Sequence, residues 1–228
     1  MKVSTEFSKY AAEYNSHNII QEKVVKKLIS DIKKKPQYIL DLGCGSGALC
    51  RALPWEYKHF IGIDFAAGML ELHPKSEKIE AIYGDFNDSN LFSTLQTYQF
   101  DHIFSASALQ WAEDLDSLLK NMAALHTSLS LAIFTSGTFK TLNKTAGTKP
   151  LLRNKNEIER LIKLYFDVKL ETVEYKLKFK SVREMFRYIK QSGVSGSRNL
   201  LSFKEMKELM RNYPLDYLEF EVLFIQSS

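Results

Sequence analysis

Cysteine is nearly absent. The 228 residues contain only Cys44 and Cys50, with no C-x-x-C pair. A disulfide framework and a zinc knuckle are thereby excluded, and a reducing, cytoplasmic location is expected. Histidine is scarce as well, and the five present show no H-x-x-x-H or H-x-x-E pairing. That pattern predicts no metal site. No apolar run approaches the ~20 residues of a membrane helix. The opening Met1-Lys2-Val3-Ser4-Thr5-Glu6 leads into no apolar signal segment. Repeats and low-complexity tracts are missing too. What is present is ordinary for a globular chain: 45% hydrophobic and 25% charged residues.

The net charge of +4 is unevenly placed. From Lys176 to Arg211 ten basic residues face only Glu184, Glu205 and Glu208, a local +7, which leaves −3 for the rest of the chain. Such a field fits an acidic partner met at one place, and equally a solvated lysine-rich helical face.

Periodicity predicts an α/β chain. Ile20, Val24, Leu28 and Ile32 recur at helical spacing over residues 17–34, with Lys33-Lys34-Lys35 at the C-terminal end and Pro36 as a stop. Short apolar runs at 38–42, 59–64, 79–83, 100–105 and 130–135 read as strands. Helical patterns at 67–72, 88–97 and 115–126 lie between them. This alternation gives a mostly parallel, doubly wound sheet covered on both faces. A polar stretch at 138–156 then leads to a helix at 157–166, a long strand at 168–179, helices at 182–191 and 203–211, and a last strand at 217–225. The expected organisation is a single domain over 1–228. It has an N-terminal flap and helix at 1–35, a ligand-binding core at 36–137 and a helical insert at 181–212 before the last strand.

The strongest local signal is Asp41-Leu42-Gly43-Cys44-Gly45-Ser46-Gly47, directly after the first strand. Glycines there permit positive φ and let backbone N–H groups approach a ligand. The spacing Gly43-x-Gly45-x-x-Ala48, with Asp64 further on, also satisfies a loose dinucleotide fingerprint. Asp41 argues against phosphates, because a carboxylate before the glycines repels a pyrophosphate and attracts an amine. Gly84-Asp85-Phe86 closes the third strand with an acceptor for an adenine amino group and an aromatic face for its ring. The ligand read from these residues is an adenosine without phosphates that carries an amino acid, S-adenosylmethionine. Asp64 is expected on the ribose hydroxyls. Met69 is read either against the adenine or as helix-to-sheet packing.

These motifs, with Ile63-Asp64 and Ser105-Ala106-Ser107-Ala108-Leu109-Gln110-Trp111, resemble the Rossmann-like class I methyltransferases. The resemblance implies a cofactor site of Asp41, Gly43, Cys44, Gly45, Asp64, Phe65, Met69, Asp85, Phe86 and Ser105, with S-adenosylhomocysteine as product. More of the chain is similar to one family, the malonyl-[acyl-carrier-protein] O-methyltransferases of biotin synthesis. The matching segments are Phe7-Ser8-Lys9-Tyr10-Ala11-Ala12-Glu13-Tyr14, Ala108-Leu109-Gln110-Trp111-Ala112-Glu113-Asp114-Leu115, Phe134-Thr135-Ser136-Gly137, 185–194 and Tyr213-Pro214-Leu215-Asp216-Tyr217. Two departures fall on turns and caps: Thr127-Ser128-Leu129 replaces Pro-Gly-Gly, and Ala66-Ala67 replaces a small polar cap.

The family implies methylation of a malonyl carboxylate on an acidic acyl-carrier protein. A carboxylate is already ionised at neutral pH and needs no general base. It does need orienting. Arg187, as a two-donor grip, and Tyr14, as a hydroxyl from the flap, are the candidates, set against a surface helix residue and a core-edge residue. No nucleic-acid or membrane partner is expected, and a monomer is. The alternatives are a methyltransferase acting on another small molecule, such as a quinone, phenol or amine, and a binding module that kept the fold.

Overall fold

The computed structural model describes residues 18–191 and 203–227. Tyr14, with the rest of the segment 7–14, lies outside them. Seven strands form one sheet in the order β3-β2-β1-β4-β5-β7-β6. β1 (Tyr38–Leu42), β2 (His59–Asp64), β3 (Ile79–Tyr83), β4 (His102–Ala106) and β5 (Ser128–Phe134) are parallel. β7 (Tyr217–Ser227) lies antiparallel between β5 and β6 (Val168–Lys178). This is the expected Rossmann-like class I methyltransferase fold, with a helical insert before the last strand. The order reverses between β1 and β4, and in open α/β sheets a crevice for ligand opens at such a point.

Both faces of the sheet are covered, which is why the central strands read as unbroken apolar runs. On one face Leu40, Leu42, Ile61, Ile63 and Ile103 pack against α4 (Ser89–Leu95), α5 (Leu115–Ala123) and α7 (Lys155–Ile162). On the other, Ile39, Phe60, Phe104 and Phe224 meet α1 (Ile19–Ser30) and α2 (Ala48–Ala52). α8 (Val182–Gln191) joins this second layer through Met185 and Tyr188, as does Tyr213 just after α9 (Phe203–Asn212), whose Leu209 is buried. Side-chain oxygens of Asp88, Asp114 and Asn154 cap α4, α5 and α7. No helix among the described residues is long and apolar enough to cross a membrane.

The structure departs from the periodicity in particular places. α1 ends at Ser30, because the Asp31 N–H is shared between Lys27 O and Ile29 O and tightens the last turn. Lys33, Lys34 and Lys35 therefore lie beyond the helix. A helix absent from the sequence reading, α6 (Lys140–Ala146), occupies part of the polar stretch. It is held from across the chain: Glu219 accepts from the Thr141 N–H and hydroxyl, both at 2.9 Å. Ala66 gives α3 (Ala67–Glu71) no side-chain cap, but its own N–H donates to Asp64 Oδ1 at 2.8 Å. The carboxylate thus serves a backbone donor in the cap that the sequence lacks.

Candidate functional site

β1 runs out at Leu42 into a loop with Gly43, Gly45 and Gly47 at φ 77°, 52° and 86°. Only glycine adopts such angles freely. The loop's donors turn into the protein. Gly43 and Cys44 N–H both donate to Ile63 O, Gly45 N–H to Asp64 Oδ2 and Gly47 N–H to Cys44 O. The expected approach of these N–H groups to a ligand is therefore corrected: four are already used, and a phosphate would find none of them.

Above this loop a cleft of about 780 Å³, open mouth included, lies between β1, β2, β4 and α1. Asp41, Gly43, Cys44, Gly45, Asp64, Phe65, Met69 and Phe86 all line it, so eight of the sequence candidates converge on one space. Asp85 and Ser105 are not on its wall. Asp85 is exposed, and its Oδ1 accepts from the Asn87 backbone and side chain at 2.9 Å. Ser105 is fully buried and donates to Leu42 O at 2.6 Å, tying β4 to β1. Arg187 is exposed on α8 and does not line the cleft.

Asp41 sets the electrostatics. It is 1% exposed, and its Oδ1 has no hydrogen-bond partner. Burial, and secondarily the charge of Asp64, push its carboxyl up to about 8. Burial also pushes Asp64 up, against the N–H donors of Ala66 and Gly45 that favour its charged form. Two buried acids side by side, one oxygen unpartnered, are an environment that a cationic ligand relieves. These acceptors fit the amino group of S-adenosylmethionine and reject a pyrophosphate. Burial pushes the Cys44 thiol well up, so that side chain is a neutral wall rather than a nucleophile. Among the described residues no group of three or more His, Cys, Asp or Glu side chains is placed to hold a metal ion.

Several lining residues carry no site role in the sequence analysis: Asn18 before α1, Gln21 and Val25 of α1, and Ala106, Ser107 and Trp111 of the segment 105–111 that carries the resemblance. Gln21 carried a signal, being a polar residue on the buried face of α1 beside Ile20, Val24 and Val25. Ser107 followed from position alone, at the carboxyl end of a strand beside the switch point. Its φ of 65° is one that serine rarely takes, and for L-residues the left-handed region costs about 1–2 kcal/mol.

Asp64→Asn tests the double duty of that carboxylate. Asn has one acceptor oxygen where Gly45 N–H and Ala66 N–H now use two. We expect the variant to melt several degrees lower and to bind S-adenosylmethionine about tenfold more weakly by calorimetry. Unchanged melting would show that the two backbone bonds carry no stability.

Residues 39–127 match the family described as Methyltransferase domain. The chain is 24% identical to malonyl-[acyl-carrier protein] O-methyltransferase of Bacillus anthracis, over 90% of this chain and 84% of that protein. It is 28% identical to the protein of the same name from Acetivibrio thermocellus, over 91% of this chain and 83% of that protein. Among solved structures, a Haemonchus contortus phosphoethanolamine N-methyltransferase 2 in complex with S-adenosyl-L-methionine superposes with a TM-score of 0.58. That pair is 15% identical, over 97% of this chain and 57% of that one.

Proposed function

We propose that this chain, a class I methyltransferase that uses S-adenosylmethionine, esterifies the free carboxylate of a malonyl thioester on an acyl-carrier protein. The observation that carries this reading is the extent of the similarity to enzymes of that name. It runs over nine-tenths of the chain, well past the cofactor-binding core at 39–127. Masking the carboxylate as a methyl ester is what the family resemblance implies for an early step of biotin synthesis.

The residues present suit the chemistry. Bound S-adenosylmethionine supplies an electrophilic methyl group. A carboxylate oxygen takes it while the carbon–sulfur electron pair stays on sulfur, so no proton is moved and no general base is required. Asp41 and Asp64 hold the cofactor's cationic and hydroxyl groups. Ala106, Ala108, Phe86 and Trp111 form the less polar wall, where exclusion of water favours a reaction that neutralises two charges.

Arg183, Arg187, Lys204, Lys207 and Arg211 all stand exposed on α8 and α9. In this reading they meet the acidic carrier protein, and Arg187 acts there from outside the cleft. Tyr14 remains the proposed hydroxyl from the N-terminal segment. Association of this kind is steered by charge and screened by salt. We expect kcat/KM on malonyl-carrier protein to fall severalfold between low and physiological salt. Lys204→Glu/Lys207→Glu should lower it about tenfold, with cofactor affinity unchanged. Equal rates in the charge-reversed and native proteins would remove the carrier-docking role. The decisive assay is transfer of labelled methyl from S-adenosylmethionine to malonyl-carrier protein, with the acetyl thioester inert for want of a carboxylate. Turnover of a phenol or quinone, and not of the malonyl thioester, would overturn the proposal.

A further inference from the structure

Besides the Asp41 oxygen already assigned, two buried polar atoms on the cleft wall have no partner among the described residues: Ser107 Oγ and Gln21 Oε1. Ser107 is fixed through its backbone. Its N–H donates to Ala132 O at 2.9 Å, and its carbonyl accepts from Gln110 Nε2 at 2.6 Å. These bonds hold it at φ 65°. A non-glycine residue kept in that region, with a side chain that bonds nothing among the described residues, points to a use outside the fold. Its chain neighbours Ala106 and Ala108 also line the wall and offer no polar side chain to that hydroxyl.

The charge of the wall says what that hydroxyl meets. Among the described residues no Lys, Arg or His lines the cleft, and both charged lining residues are acids. A carboxylate entering here meets no cationic side chain among the described residues and finds only neutral donors.

We infer that Ser107 is a substrate-binding residue, its hydroxyl donating to the acceptor carboxylate, with the Gln21 amide as a second neutral donor. The inference rests on the malonyl-thioester reading. Gln21 reaches this role by turning its amide, which exchanges oxygen for N–H₂. Neutral donors suit the step better than a cation does. The carboxylate loses its charge as the carbon–oxygen bond forms, so a tight ion pair would stabilise the ground state more than the transition state. No proton leaves the substrate, so the serine donates a hydrogen bond throughout and never acts as a base.

Ser107→Gly removes the hydroxyl and suits the backbone angle. We expect it to melt at or above wild type and to bind S-adenosylmethionine within twofold of wild type by calorimetry. Its kcat/KM on malonyl-carrier protein should fall about 30-fold, mostly through KM, the scale of a hydrogen bond to a charged group. Ser107→Asn tolerates the angle and keeps an N–H donor, so it should recover part of that loss. If the wild type is active and Ser107→Gly matches it, this inference alone is overturned. A tenfold loss of cofactor affinity in Ser107→Gly also overturns it, by assigning the hydroxyl to the cofactor. A wild type inert toward malonyl-carrier protein overturns the functional reading, and this inference with it.

Discussion

Asp41→Asn should weaken S-adenosylmethionine binding about 10³-fold while leaving the ligand-free protein at least as stable as wild type. The first half follows from removing one partner of a buried charge pair, which costs about 3–5 kcal/mol. The second follows from the state of Asp41 without ligand. Its carboxyl is pushed up to about 8, whereas in the unfolded chain it ionises near the ordinary value of 3.8. Between those pH values the folded state holds the extra proton, so the wild type loses stability as pH rises from about 4 to about 8. An amide does not titrate, and the variant's melting curve should be flatter over that window. The same linkage governs binding. A cationic amine beside Asp41 favours its charged form, so at pH 6–7 binding should release a proton, and affinity should rise with pH up to about 8. Calorimetry in buffers of different ionisation heat measures that proton directly. Tight binding by Asp41→Asn, or no proton release by the wild type, would refute the assignment of Asp41 to the amine.

The second large effect belongs to Gly43. A Cβ built there would stand 2.1 Å from Ala108 Cβ, on a backbone at φ 77°. Gly43→Ala therefore combines a left-handed angle with an overlap between the loop after β1 and the segment after β4. Together these cost roughly 3 kcal/mol, or on the order of 10 °C in Tm. Cofactor binding should be lost with them, because both segments form the cleft wall. Gly45→Ala is the control, since its Cβ meets nothing within 4 Å and only the angle is penalised. The double variant Gly43→Ala/Ala108→Gly should recover the overlap and not the angle. Equal melting of Gly43→Ala and Gly45→Ala would show that the two segments do not press on each other.

The sheet was legible in the sequence because its central strands are buried on both faces and read as continuous apolar runs. The residues joining ligand chemistry to backbone geometry were legible as well: Asp41, the glycines and Asp64 follow one another at strand ends. What escaped depended on partners far along the chain. α6 has few apolar residues to announce it and is held by Glu219, 78 residues from Thr141. The Gly43, Cys44 and Gly45 N–H groups could not be known to bond the end of β2. Asp85 and Ser105 have side chains that can contact a ligand, and the strand pattern does not show the bonds they make within the protein: Asp85 in a local turn, Ser105 in a strand-to-strand tie. Gln21 and Ser107 were passed over because helix pattern and strand pattern each describe a single element, while a cleft is made where several meet.

β6 and β7 pair without interruption from Val168↔Ser227 to Lys178↔Tyr217, and α8 and α9 belong to the connection that leaves this ladder and returns to it. The ladder therefore fixes the two ends of that connection side by side, whatever lies between them. In evolutionary terms the arrangement is a cassette mount. Exposed residues of the insert can drift, and its length can change at small entropic cost, because the hairpin has already closed the loop. The boundary condition is set by Met185 and Tyr188, which pack into the aromatic layer beneath, Tyr188 against Phe179 and Phe220. A lineage can exchange this one segment, provided the replacement keeps an apolar underside, while the parallel strands and the cleft at their carboxyl ends stay as they are.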